Sequence, residues 1–413
     1  MSMMDRWVRV ELELQFSKPF VHIVFGARQV GKTTLINDII KDCALYYNLA
    51  DPEERTRLLA DPGAFRRECE ALSERKKPCV VFVDEAQRVP DVFDAVQVLY
   101  DGNKSRWRFI LCGSSSRKLR KAGTNLLPGR CMLHRMFPLV LAERPAAGHS
   151  KTVIEPLVEL PGTDRLTSQF PPADIEERLA YGELPGIVLL DEADRGIILR
   201  SFTTAHLEEE VRKEALVEDW GAFVVFLRLA AAESGSMINY AAISQQVGLS
   251  QPTVKSYYQL LEDMFMGFRL PAFKRSPRKN LLSTPRFFFS DVGICQAAQG
   301  ITPGRDVVLS NPGKYFEQWV IAELWKRLQY IGKGKLHYFC TKDGAEIDAV
   351  LETTDRIIPI EVKWTERPSR KDARHLLRFI EETPNATDGY IVCRCPRPQK
   401  IADNITAIPW QNL

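Results

Sequence analysis

Val21-His22-Ile23-Val24-Phe25 runs directly into Gly26-Ala27-Arg28-Gln29-Val30-Gly31-Lys32-Thr33, with Thr34 next. A short apolar run that ends on glycine and opens a helical pattern is the strand–loop–helix signature of a phosphate-binding loop. The glycines let the backbone wrap closely, so that its N–H groups point at phosphate oxygens. The helix beginning near Lys32 adds the positive end of its dipole. Lys32 is placed to neutralise β- and γ-phosphates, and the Thr33 hydroxyl to meet Mg²⁺. This stretch predicts ATP and Mg²⁺ as cofactors, with Gly26, Ala27, Arg28, Gln29, Val30, Gly31, Lys32, Thr33 and Thr34 as the cradle.

The surrounding sequence supplies the rest of such a site. Pro78–Val83 is apolar and ends in Asp84-Glu85, and Trp107–Cys112 ends in Gly113-Ser114-Ser115-Ser116. Leu45–Leu49 is a fourth strand candidate. Short, wholly apolar strands separated by helical patterns predict a parallel sheet covered on both faces. Asp84 is expected to hold the Mg²⁺ water shell and Glu85 to orient the attacking water. Ser114 or Ser115 is placed to sense the γ-phosphate. Arg130 follows a glycine and is the candidate finger for a neighbouring subunit's ATP, with Arg117 and Arg135 as rivals.

The 413 residues allow two or three domains. A net charge of +3 confines any nucleic-acid surface to a local patch. The nine cysteines are scattered, mostly in apolar runs, as expected of reduced thiols. Cys393-Arg394-Cys395 lacks a second pair at zinc spacing. No apolar stretch reaches transmembrane length, and Met1–Ser17 is amphipathic rather than signal-like. A cytoplasmic protein without membrane contact is the expectation.

Residues 1–145 form the nucleotide domain in this reading, and 146–215 a linker with a helical lid. Residues 216–291 show three helix patterns, Trp220–Ala232, Tyr240–Val247 and Gln251–Leu261. The strand candidates Met266–Phe273 and Pro285–Ser290 follow, an order that predicts a winged helix-turn-helix. Gln251–Leu261 is then the recognition helix, presenting Lys255 and Tyr257. The wing carries Arg269, Lys274, Arg275, Arg278 and Lys279, cations suited to a phosphate backbone. No arginine lies in the recognition helix, so structure-selective rather than base-specific binding is expected.

Residues 292–413 combine the helix Phe316–Leu328 with strands Leu336–Cys340, Ile347–Leu351, Ile357–Lys363 and Gly389–Cys393. Alternation puts Glu361 and Lys363 on one face of a strand. A hairpin from Asp348 to Glu361 brings both to Glu317 on the helix. This set resembles the PD-(D/E)xK nuclease fold, which implies Asp348 and Glu361 as metal ligands, Lys363 as the water-positioning group and Glu317 as completing the shell.

Gly26–Thr34, Val81–Gln87, Gly113–Ser116 and Leu127-Pro128-Gly129-Arg130 together resemble, in order, the prokaryotic AAA-type ATPases that carry a C-terminal DUF4143 domain. Gly182-Glu183-Leu184-Pro185-Gly186 is similar to that family's Gly-Phe/Tyr-Pro element, with Glu183-Leu184 as a departure. The resemblance covers nearly the whole chain. It implies a multimeric, ring-capable ATPase with an N-terminal AAA-like parallel sheet, a middle winged helix and a C-terminal α/β, restriction-endonuclease-like domain. The expected function is ATP-driven remodelling or translocation of branched or duplex DNA, with Holliday-junction branch migration as the concrete form. An ATP-regulated, metal-dependent DNA nuclease and a nucleotide-dependent switch on a protein partner are the alternatives.

Overall fold

A computed structural model describes residues 4–74, 77–114, 128–148, 157–163, 166, 169–213, 217, 219–274, 284–341 and 344–413. The chain folds as two compact units. One is Asp5–Phe137 with Asp263–Phe265. The other is Pro138–Glu262 with Met266–Leu413, joined by Met4.

In the first unit the order is α1 (Arg9–Phe16), β1 (Val21–Gly26), α2 (Lys32–Ile39), β2 (Cys43–Asn48), α3 (Pro52–Ala60), α4 (Ala64–Glu70), β3 (Cys79–Asp84), α5 (Asp91–Gly102), β4 (Trp107–Gly113) and β5 (Cys131–Met136). The five strands form one sheet in the order β2-β3-β4-β1-β5, parallel throughout. Alternate residues of the inner strands, including Ile23, Phe25, Val81, Val83, Phe109 and Leu111, pack with Phe93 and Val96 of α5 and Phe65 of α4. Residues of the opposite parity, Val24, Phe82 and Ile110, are also buried. Both faces are covered, which is why these strands read as unbroken apolar runs. The edge strand β5, Cys-Met-Leu-His-Arg-Met, is mostly half-buried. That mixed burial gave it no such run, and the sequence reading omitted it.

The second unit begins with α6 (Ile175–Tyr181), α7 (Pro185–Val188), α8 (Glu192–Lys213), α9 (Trp220–Ala232), α10 (Tyr240–Val247) and α11 (Gln251–Asp263). Side chains of Asp174, Asp219, Asn239 and Ser250 accept backbone N–H groups at the starts of α6, α9, α10 and α11. Strands β6 (Gly267–Leu270) and β7 (Arg286–Phe289) then pair antiparallel, from Gly267 opposite Phe289 to Leu270 opposite Arg286. Helices α12 (Val292–Ala298), α13 (Arg305–Ser310) and α14 (Pro312–Ile331) follow. They lead into β8 (Lys335–Cys340), β9 (Glu346–Glu352), β10 (Ile357–Val362), helix α15 (Arg374–Glu382), β11 (Gly389–Cys393), β12 (Gln399–Ala402) and β13 (Ile405–Pro409). The six strands form a mixed sheet in the order β12-β13-β11-β10-β9-β8. The helix–strand order between Trp220 and Phe289 is the expected one. The wing tip, with Arg275, Arg278 and Lys279, lies outside the described residues.

Middle and C-terminal segments are joined by shared contacts. Phe268 of β6 stacks on Trp325 of α14 with ring centroids 4.1 Å apart. Glu323 of α14 accepts the Leu141 N–H at 2.8 Å and pairs with Lys326 and Arg327 in a fully buried cluster. The Glu183 departure also finds its reason here. Its carboxylate is buried between Arg144 and Arg178, two arginines with no exposed surface. Gly182 before it has a φ of 71°, and an added Cβ would sit 2.1 Å from the Asp291 carboxylate. Asp291 in turn accepts the N–H groups of Glu183 and Ile294. Such a buried ionic group demands partners for every charge, so none of these residues is freely exchangeable.

A candidate nucleotide site and a second acidic cluster

The loop after β1 is shaped by close backbone approach. A Cβ on Gly26 would lie 2.3 Å from the Met136 carbonyl oxygen, and Gly31 has a φ of 86°. Gln29 also takes a left-handed conformation, with φ of 62°. The buried Arg6 donates from its guanidinium to the Val30 and Phe137 carbonyls and ties the loop's far side to the end of β5. Lys32 opens α2, and its Nζ donates to the carbonyls of Gly26 and Ala27 at 2.8 and 2.9 Å. Burial lowers its pKa from the usual lysine range, with Glu85 and Asp84 among the charges opposing that shift. An ammonium so desolvated gains strongly from a phosphate.

Asp84 ends β3 facing this loop, and both its oxygens are engaged. Oδ2 accepts the Thr33 hydroxyl at 2.7 Å. Oδ1 accepts the Glu85 N–H at 2.9 Å and the Cys112 thiol at 2.7 Å. Burial, then the Asp84 charge, raises the Cys112 pKa well above the usual thiol value, so it stays a protonated donor. The Thr33 hydroxyl and Asp84 carboxylate are hard oxygen donors side by side, the pair that suits Mg²⁺. They fit the ion, and these two residues would hold it and its water shell. Glu85 next in line has a φ of 55°, which turns its carboxylate out of the strand direction. Gln87 and Ser114 meet it there: Gln87 Nε2 is 2.6 Å from Glu85 Oε2, and Ser114 Oγ is 3.4 Å from the same oxygen.

Lys32, Thr33, Asp84, Glu85 and Ser114 are thus brought together as the sequence predicts. Ser115 and Arg117 lie outside the described residues. Arg130 does not join them. It precedes β5, where Cys131 pairs with Val21 at the opposite end of β1 from the loop, roughly 17 Å along the strand. Its Nε instead pairs with Asp101 at 2.7 Å. Arg130 therefore cannot reach the phosphates of its own chain, and a finger role is restricted to a neighbour's site. The rival Arg135 pairs with Phe25, at the loop end of the sheet, and is exposed. Sequence reasoning gave no role to Gln87, which it quoted only as the end of the Val81–Gln87 motif, or to Cys112, which it read only as part of an apolar run. Their positions flanking Asp84-Glu85 and Ser114 were the available signal.

The DNA-contact residues fare unevenly. Tyr257 is a correction. It is buried, packed edge-on against Phe223 and Phe226, so its ring belongs to the core of the three helices. The Arg269 guanidinium is paired with Glu262 and bonded to Gln259, which neutralises it within the fold. Lys255 is exposed, its ammonium 5.2 Å over the Tyr240 ring, and Lys274 is half-buried.

In the C-terminal sheet, Glu317, Asp348, Glu361 and Lys363 do face one another. Asp348 Oδ2 accepts the Val362 N–H at 2.8 Å, and Lys363 Nζ lies 2.6 Å from Glu361 Oε1. Burial and then the Asp348 charge push Glu317 up to about 8, and the same two causes push Glu361 up to about 7. Burial would lower Lys363, but the Glu361 charge outweighs it and its pKa is raised. A cation from the fold enters the cluster: Arg286 of β7 pairs with Glu317 at 3.3 Å and with Glu346. Among the described residues, no three His, Cys, Asp or Glu side chains converge as a metal site. Arg286, paired with Glu317 and Glu346, and Lys363, paired with Glu361, place positive charge beside these carboxylates.

Residues 18–144 match the AAA domain family, and residues 312–413 match the family DUF4143, a domain of unknown function. The chain pairs an AAA domain with a DUF4143 domain. Residues 172–305, between them, match a further domain of unknown function, DUF8612. An uncharacterized protein of Mycobacterium tuberculosis is 25% identical over 354 residues, covering 84% of this chain and 71% of its own. One from Haemophilus influenzae is 22% identical over 397 residues, covering 92% and 91%. Among solved structures, a signal transduction ATPase with numerous domains and a tetratricopeptide repeat sensor, from Pyrococcus horikoshii, overlaps with a TM-score of 0.26 at 12% identity. The overlap covers 77% of this chain and 47% of that one. The Vibrio cholerae protein VC1899 overlaps at 0.19 with 11% identity, over 94% of each chain. No described helix is long and apolar enough to cross a membrane.

Proposed function

We propose that the protein is a Mg²⁺-dependent ATPase that spends its nucleotide cycle on DNA. The observation that carries the ATPase reading is the convergence of Lys32, Thr33, Asp84 and Glu85 at one end of a parallel sheet, each held by a named hydrogen bond. Lys32 would exchange the Gly26 and Ala27 carbonyls for phosphate oxygens. Mg²⁺, when bound, offsets charge on the β- and γ-phosphates. Glu85 accepts a hydrogen bond from the attacking water and takes its proton as the γ-phosphorus–oxygen bond to ADP breaks. Arg130 or Arg135 would complete the site of an adjacent copy in a ring.

DNA is proposed as the object on the order of the helices and strands from Trp220 to Phe289 and on the exposed Lys255. Hydrolysis rates with single-stranded, duplex and four-way DNA test it. Stimulation greatest with the four-way form supports remodelling of branched DNA, and rates indifferent to every form overturn the DNA reading. Tyr257 in the core and Arg269 in an internal ion pair favour a second reading, a nucleotide-dependent switch acting on a protein partner. Reversing the charges of Lys255 and Lys274 leaves function intact under that second reading, and abolishes DNA stimulation under the first. Cleavage of DNA is the least favoured reading, since Arg286 already pairs with Glu317 and Glu346 beside Asp348 and Glu361.

A further inference from the structure

We infer that Gln87 is a positioning residue for hydrolysis, joining the Glu85 carboxylate to the Ser114 hydroxyl so that contact at Ser114 sets the aim of Glu85. The inference rests on the ATPase reading above and assigns the device that regulates its water-activating group.

The geometry is local and specific. Asp84-Glu85 leaves the sheet at the end of β3, and Gly113-Ser114 leaves it at the end of the adjacent β4. Gln87 spans the two ends. Its Nε2 donates to Glu85 Oε2 at 2.6 Å and to Ser114 Oγ at 3.2 Å, and the Ser114 hydroxyl lies 3.4 Å from that same carboxylate oxygen. The three polar groups therefore close a triangle. A hydrogen bond to a carboxylate is charge-assisted and roughly twice as strong as a neutral one, so the amide fixes where Glu85 points.

Four further features show a built arrangement rather than a chance contact. Gln87 is 4% exposed, so its amide has no free choice of solvent partners. Gly113 is the residue beside it, and a Cβ there would fall 2.3 Å from Gln87 Oε1, so the amide occupies space that only glycine leaves. Glu85 takes a left-handed backbone conformation, uncommon for a residue with a side chain, and this turns its carboxylate towards the amide. The Gln87 Oε1 is itself buried without a hydrogen-bond donor among the described residues.

Ser114 stands where the strand next to the phosphate loop's strand ends, the place from which a side chain meets a γ-phosphate. When its hydroxyl turns to phosphate it releases Nε2, and the amide and carboxylate are left to hold water. ATP bound and ATP absent thus give Glu85 two different sets of partners.

The test measures steady-state ATP hydrolysis and the affinity for a fluorescent ATP analogue in the full chain. Variants are Gln87→Ala, Gln87→Asn, Gly113→Ala and, as a reference, Glu85→Gln. The expected result is a kcat lowered roughly ten- to hundredfold by Gln87→Ala, with analogue affinity kept within about twofold. Gly113→Ala, which displaces the amide without removing it, lowers kcat in the same direction, and Gln87→Asn recovers part of the loss. Unchanged kcat in both Gln87→Ala and Gly113→Ala overturns the inference while leaving the ATPase reading standing. Parallel loss of affinity and kcat assigns Gln87 a structural role and also overturns it. Absence of hydrolysis in the wild type overturns the ATPase reading itself.

Discussion

The Thr33 hydroxyl donates to Asp84 Oδ2 at 2.7 Å, linking the first turn of the helix after the phosphate loop to the end of a strand two places away in the sheet. These residues are 51 positions apart in sequence, yet they form the oxygen pair that suits Mg²⁺. Thr33→Ala should raise the Mg²⁺ concentration needed for half-maximal hydrolysis by roughly tenfold and lower the maximal rate. Thr33→Ser, which keeps the hydroxyl, should restore both. A Mg²⁺ titration of the ATPase rate checks this.

His22 and His134 lie on neighbouring strands with Nδ1 and Nε2 3.2 Å apart, under the Phe16 ring. Burial lowers both to about 4; for His22 the adjacent His134, Arg108 and Lys18 add repulsion, against a bond to the Lys18 carbonyl. The unfolded chain binds protons at these sites near pH 6.5, before the folded chain does. Stability is therefore full above that value and is lost as pH falls from about 6.5 towards 4. His22→Phe should flatten that part of the profile, read as denaturation midpoint against pH.

Glu323 is 1% exposed and pairs with Lys326 and Arg327 while accepting the Leu141 N–H. Burial alone would raise its pKa, but the two cations and the N–H outweigh it and bring it to about 2. Its contribution is present above the ordinary carboxylate value and is lost as pH falls towards 2. Glu323→Gln strands two buried cations and should cost about 3–5 kcal/mol, measurable by denaturant unfolding at neutral pH.

Lys255 is exposed at the first half of α11. If the winged-helix face holds a DNA backbone, Lys255→Glu should weaken binding across sequences alike and reduce the slope of log affinity against log salt by about 1. Binding isotherms at several salt concentrations give that slope.

The sequence revealed the first sheet well, because inner parallel strands buried on both faces read as continuous apolar runs. The phosphate loop was legible for a different reason: its backbone path requires glycine at Gly31 and close approach at Gly26. By contrast β5, β12 and β13 were missed. The edge strands β5 and β12 are partly exposed and carry polar residues, and β13 is only five residues long. Residue-level contacts were the harder part. Helical spacing did not show that Tyr257 faces Phe223 and Phe226, since a tyrosine serves either a core or a surface. Nor did spacing show that Arg286 would enter the acidic set of Glu317, Asp348 and Glu361, because that contact joins a strand to a helix and sheet far along the chain. Glu183 read only as a departure from the family's Gly-Phe/Tyr-Pro element, because its partners Arg144 and Arg178 are not evident from spacing.

Gly26–Thr33 should hold ATP for hydrolysis, with Lys32 on the phosphates. The most direct measurement is phosphate release from ATP by the purified full chain and by Lys32→Ala, each with Mg²⁺ and with chelator. The wild type should release phosphate in a Mg²⁺-dependent manner and Lys32→Ala should stay at background, with the variant's fold unchanged by circular dichroism. Equal rates in the two proteins, or no release by the wild type with any DNA present, would contradict it.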